Sequence, residues 1–200
     1  QLNFIMGKGR LEAFSDGVIA IIITIMVLEM KVPHGSDPAL LKKLGPVFIS
    51  YVLSFVYIGI YWNNHHHLLH ATREVNGKVL WANMHLLFWL SLVPFVSGWM
   101  GENNFTKWPV ILYGIVLLMA AIAYYILTQM LARNRQGNEV ISTAIGKDVK
   151  GKVSLLIYLA GIAACFIHPW IGFILYTVVA IIWFIPDNRI EKNLSGKAGK

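Results

Sequence analysis

The sequence predicts an all-α integral membrane protein, built as a bundle of six helices in a single domain spanning residues 1–200. Three observations carry that expectation. Hydrophobic residues make up 56% of the chain and charged residues only 14%, with a mean hydropathy of +0.60, whereas soluble domains carry about a quarter charged residues. Windows free of charge recur along the chain, most of them longer than the ~20 residues that a helix needs to cross a bilayer core of about 30 Å. The 17 basic residues concentrate in alternate connections, as the positive-inside rule expects. The net charge of +7 therefore reads as basic loops beside anionic lipid and not as a nucleic-acid surface.

The first helix is expected at about 10–31. Arg10-Leu-Glu-Ala-Phe14-Ser15-Asp16 runs into the apolar segment Val18 to Leu28, and 12 residues separate Asp16 from Glu29. That is about 18 Å of helix, short of a bilayer core. Arg10, Glu12, Asp16 and Glu29 must then sit at or inside the membrane edges, facing protein or water. A short helix with polar ends suits the lining of a pathway. Its apolar run begins too close to these charges for a cleavable signal peptide.

The second helix is expected at 46–70, with Pro46 in its first turn, where the missing N–H costs nothing. The third is expected at 79–101, kinked by Pro94, and the fourth at 108–132. The last window, Lys152 to Asp187, encloses 34 uncharged residues interrupted at His168-Pro169. Proline disfavours helix at the residue before it, so a hairpin of two short helices, 153–167 and 169–185, competes with one long kinked helix. Charge decides between them. Six spans with both ends cytoplasmic put 13 basic residues inside and 4 outside, whereas five spans give 9 and 8. The longest connection, Asn134 to Gly151, is polar and is expected to hold a short interfacial helix around Glu139–Ser142. The two halves share no convincing repeat, which argues against an inverted-repeat transporter.

At helical periodicity, Phe14, Gly17, Ile21, Ile25 and Leu28 share one stripe of the first helix, with Thr24 at its edge. An ordinary helix packing seam fits this pattern. So does a pore lining, in which rings of Ile and Leu from several copies constrict a path and gate it by dewetting, while Thr hydroxyls meet a partly dehydrated cation. Arg10, Ser15 and Asp16 call for a hydrogen-bonded network at the inner end, with Asn63, Asn64, His65, His66, Asn83 and His85 as candidate partners.

Other features have plainer readings. His66 and His70 are spaced i, i+4, as metal ligands on a helix would be. Only Glu74 accompanies them, so interhelical hydrogen bonding is favoured and no metal is expected. The same cluster with Asp16 supports an alternative function as a proton-conducting channel or secondary transporter. Trp62, Trp81, Trp99, Trp108, Trp170 and Trp183 read as an interfacial belt, and Trp89 as packing. Gly114, Gly161 and Gly172 allow close helix approach. The single cysteine, Cys165, precludes an intramolecular disulfide. The Asn104 and Asn193 glycosylation patterns carry little weight. No catalytic constellation is present, so no enzymatic activity is expected.

Arg10-x-x-x-Phe14-Ser15-Asp16, continued through Gly17-Val-Ile-Ala-Ile-Ile-Ile-Thr24-Ile-Met-Val-Leu28-Glu29, closely resembles the signature first helix of the transmembrane protein 175 potassium-channel family. The His-rich end of the second helix and Trp81-x-Asn83 extend the likeness to a prokaryotic member over nearly the whole chain. The resemblance implies a homotetramer of six-helix units in a cell inner membrane, with the first helix of each subunit lining a path for potassium. It implies an apolar constriction in place of a TVGYG loop, and no cofactor beyond the permeant ion. Ile21, Ile25 and Leu28 are then the pore-facing residues, and Thr24 a hydroxyl of the selectivity layer. Phe14 belongs with Arg10, Ser15 and Asp16 to the motif that holds the helix.

Overall fold

A computed structural model describes residues 7–72, 75–133 and 149–184; within them every regular element is helical. The helices are α1 (Lys8–Leu28), α2 (Ala39–Lys43), α3 (Gly45–His70), α4 (Gly77–Ser91), α5 (Val93–Glu102), α6 (Lys107–Arg133), α7 (Val149–Ala164) and α8 (Pro169–Phe184). Among the described residues, four segments are long and apolar enough to cross a membrane: 8–28, 45–70, 77–102 and 107–132.

Local chemistry accounts for the boundaries. Pro46 sits in the first turn of α3. Asn76 caps α4, its Oδ1 accepting from the N–H groups of Lys78 and Val79 at 3.1 Å each. The third apolar segment breaks at Leu92 into α4 and α5, because Pro94 offers no N–H to the preceding turn. α7 and α8 are 16 residues each, about 24 Å long, and Pro169 opens α8 where the intervening turn ends. α7 begins at Val149, so Lys150 and Lys152 are helical. α2, in the connection after α1, left no periodic trace in the sequence. The interfacial helix expected around Glu139–Ser142 and the basic tail beyond Phe184 lie outside the described residues.

α6 is central. Tyr113, Leu117, Ala120, Ala123, Leu127 and Leu131 are all inaccessible, and it packs against α4, α5, α7 and α8. The α7–α8 hairpin closes onto α6 through Tyr176, which lies so close to Gly114 and Gly161 that a Cβ at either would overlap its ring. Buried hydroxyls at this depth find partners, as the absence of water requires. Ser54 Oγ donates to Ser97 Oγ (2.8 Å) and lies 3.0 Å from Tyr113 Oη. Tyr57 Oη donates to the Tyr176 carbonyl (2.5 Å) and accepts from Tyr158 Oη (3.3 Å). α1 packs against α3, α4 and α5 on one side of this core.

Candidate functional site

α1 has two unlike faces. Leu11, Ser15, Ile19, Ile22 and Met26, spaced by three and four, are at most 3% exposed and pack inward. The opposite face is Phe14, Gly17, Ile21, Thr24, Ile25 and Leu28, all exposed at the surface of the subunit, Ile21 at 58% and Leu28 at 77%. The stripe read from the sequence is therefore the face that the single chain leaves uncovered. Thr24 is its only hydroxyl. Thr24 Oγ1 donates to the backbone carbonyls of Ile21 (2.9 Å) and Ala20 (3.2 Å), so its proton is engaged and its lone pairs remain as acceptors.

Two polar layers fix the N-terminal end of α1. In the buried layer, Ser15 Oγ donates to the Leu11 carbonyl (2.8 Å) and accepts from Asn83 Nδ2 (2.9 Å). Asn83 Oδ1 lies 2.7 Å from His65 Nε2. All three residues are at most 1% exposed, and they tie α1 to α4 and α4 to α3. The second layer is a ladder between antiparallel helices. Lys8 Nζ donates to the His70 carbonyl (2.9 Å), Glu12 Oε1 faces His66 Nδ1 (3.3 Å), and Asp16 Oδ1 accepts from Trp62 Nε1 (3.1 Å). Successive rungs are four residues apart on both helices, so they rise together. Trp62, His66 and His70 stack as rings, with centroids 6.0 and 6.1 Å apart.

The structure thus brings together Ser15, His65 and Asn83, while Asp16 pairs with Trp62, whose place near a helix end in the sequence points to the interfacial belt. Three expected members lie elsewhere. Arg10 is exposed and has no side-chain partner among the described residues; five residues from Ser15, it projects about 140° away around the helix. Asn64 donates to the Ile60 carbonyl of its own helix (2.8 Å), and His85 accepts from Trp89 one turn away (2.9 Å). Each is displaced by one or two residues from the buried side of its helix. Glu12 and Trp62 were the residues missed, and the matching i, i+4, i+8 series on α1 and α3 was the signal that could have found them. Among the described residues no three His, Cys, Asp or Glu side chains converge to hold a metal ion.

At the other end of α1, Lys31 bridges to Glu102 (2.7 Å). An open groove runs down from there between the uncovered face of α1 and α5, lined by Ile21, Ile25 and Glu29 on one side and by Pro94, Phe95 and Trp99 on the other.

The chain is a helical membrane protein whose α1, anchored at one end by buried polar bonds, leaves uncovered an apolar face with one hydroxyl, and its relatives are channels. The family described as the endosomal/lysosomal potassium channel TMEM175 matches residues 10–94, from the Arg10 motif through Pro94. A protein of Chryseobacterium sp. (strain P1-3) named a potassium channel is 54% identical over 189 residues, covering 94% of this chain and 98% of that protein. A second, from Chamaesiphon minutus, is 31% identical over 197 residues, covering 90% and 95%. The crystal structure of a lysosomal potassium-selective channel TMEM175 homologue from Chamaesiphon minutus matches with a TM-score of 0.80 at 28% identity, over 90% of this chain and 98% of that one. The chain belongs to the TMEM175 family.

Proposed function

We propose that this chain is one subunit of a homotetrameric, potassium-selective channel of a cell inner membrane, with six spans and both ends in the cytoplasm. The observation that carries the reading is the uncovered face of α1: a stripe from Phe14 to Leu28 that stays exposed among the described residues of the subunit. Four copies around an axis would cover it. Rings of Ile21, Ile25 and Leu28 would then follow one another at about 6 Å and 4.5 Å along the path. A narrow apolar path of that kind conducts only when wetted, which makes the rings the gate. Thr24 lies between the first two rings and supplies acceptor oxygens to an ion that has shed part of its hydration shell. The two polar layers below hold α1 in register with α3 and α4, so the rings stay aligned between subunits.

The high identity to proteins named potassium channels, over nearly the whole chain, supports potassium as the permeant ion. Above Asp16 the uncovered face has Thr24 as its only side-chain hydrogen-bonding group until Glu29, so it offers no chain of titratable groups for a proton relay. The test is ion flux from liposomes under equal potassium and sodium gradients. Potassium flux exceeding sodium flux, with the ratio altered by Ile25→Asn, supports the reading. Proton flux that persists without potassium flux, and that is lost on replacing His65 or His66, contradicts it.

A further inference from the structure

We infer that a second site, remote from α1, holds an anionic phospholipid with one acyl chain inserted between α3, α6 and α7. A cavity of about 270 Å³ opens there, at the end of the bundle where α1 begins and α3 ends. An apolar cavity of about 150 Å³ already accommodates benzene, so this one takes more than a single ring. It runs from Lys152 to Tyr158 along α7, about 9 Å of depth. Its wall is aromatic and aliphatic, with Tyr61, Ala121 and Leu155 among its residues. Several of the polar groups in that wall are already engaged. The hydroxyls of Tyr57 and Tyr158 bond to each other, and Ser154 Oγ accepts from Trp183 Nε1 at 2.8 Å. The interior therefore suits an apolar occupant.

The mouth is the opposite. Lys152 is exposed at the rim, Lys150 Nζ lies over the Trp183 ring at 5.9 Å, and among the described residues no Asp or Glu lines the cavity. A basic rim over an aromatic slot between membrane helices selects a molecule with an apolar tail and a negative head. A lipid meets both requirements and can enter sideways from its own leaflet. The site shares no residue with the uncovered face of α1, so it stands or falls independently of the channel reading.

The test uses the full chain in phosphatidylcholine vesicles containing either bromine-labelled phosphatidylglycerol or bromine-labelled phosphatidylcholine. Subtracting the emission of Trp183→Phe isolates Trp183 at the mouth. The anionic lipid is expected to quench Trp183 about fivefold more effectively. Lys152→Gln should reduce that preference, and Ala121→Phe or Leu155→Phe, which fill the slot, should abolish it while helicity is retained. Added inorganic phosphate should leave it intact. Equal quenching by the two lipids, a preference that survives both filled variants, Trp183 shielded from both lipids, or displacement by phosphate alone would each overturn the proposal.

Discussion

Asn83 is the residue whose loss should be felt most at the N-terminal end of α1. It is fully buried and spans two helix interfaces, its Oδ1 accepting from His65 Nε2 (2.7 Å) and its Nδ2 donating to Ser15 Oγ (2.9 Å). Asn83→Leu keeps the volume and removes both bonds. Interhelical hydrogen bonds in membrane proteins average about 0.6 kcal/mol each, so the two bonds alone account for about 1 kcal/mol. The consequences for the partners are unequal. Ser15 keeps its bond to the Leu11 carbonyl. His65 does not fare as well: its Nδ1 already lacks a partner among the described residues, and with Nε2 stranded too the buried ring has none. A stranded buried polar group costs about 1–3 kcal/mol. The total is about 2–4 kcal/mol, or a fall in thermal midpoint of roughly 5–15 °C for a chain of this size. Thermal unfolding in detergent, followed by tryptophan emission, measures it. Asn64→Ala is the control, since the Asn64 side chain bonds only to the Ile60 carbonyl of its own helix, and the bond from Tyr124 Oη falls on its backbone carbonyl, which the substitution keeps. A double-mutant cycle with Ser15→Ala should show coupling of at least about 0.5 kcal/mol. An Asn83→Leu protein no less stable than Asn64→Ala, with no coupling to Ser15, would refute the buried-layer argument.

Three further outcomes are expected. Tyr57→Phe should cost about 1–2 kcal/mol in the same assay, because it removes the bond to the Tyr176 carbonyl across the α3–α8 contact. Gly114→Ala should lower the yield of monodisperse protein on size exclusion and cost about 1–3 kcal/mol or more, since the added Cβ meets the Tyr176 ring and hydroxyl. Lys31→Gln should lower the thermal midpoint only slightly at neutral pH, because the Lys31–Glu102 pair is exposed and such pairs contribute little. Its hydrogen bond to Glu102 raises the Lys31 ammonium above the ordinary lysine range. Any contribution is therefore present at neutral pH and is lost only as pH rises through that raised value; melting curves of the two proteins across the alkaline range check the sign.

The helical membrane class was legible because it rests on composition and on signals local to each segment. Pro94 broke the third apolar segment and Pro169 opened α8 because proline acts on its own backbone neighbourhood. The two faces of α1 were legible for a similar reason: a helix repeats every 3.6 residues, and the stripe of Ile21, Ile25 and Leu28 needed no knowledge of other helices. The partners of the polar residues were not. Asp16 meets Trp62, 46 residues away, and Tyr57 meets Tyr176, 119 residues away. A tryptophan near a helix end reads as an interfacial anchor until the helix facing it is known. His85 and Asn64 were placed in the network by proximity in sequence to Asn83 and His65, yet one or two residues turn a side chain to another face. The buried tyrosine contacts between α3, α6, α7 and α8 left no trace, since each tyrosine alone is an ordinary apolar-face residue.

The central claim is that the uncovered face of α1 borders the ion path and the buried face does not. Cysteine substitution separates the two, because Cys165 is the only native cysteine and is buried. On a Cys165→Ala background, Ile21→Cys, Thr24→Cys, Ile25→Cys and Leu28→Cys are compared with Ile19→Cys and Met26→Cys. Potassium flux from liposomes is recorded before and after a charged, water-soluble thiol reagent. The account predicts block at the first four positions and none at the last two. Block confined to Ile19 and Met26, or flux insensitive to modification at all four uncovered positions despite demonstrated labelling, would contradict it.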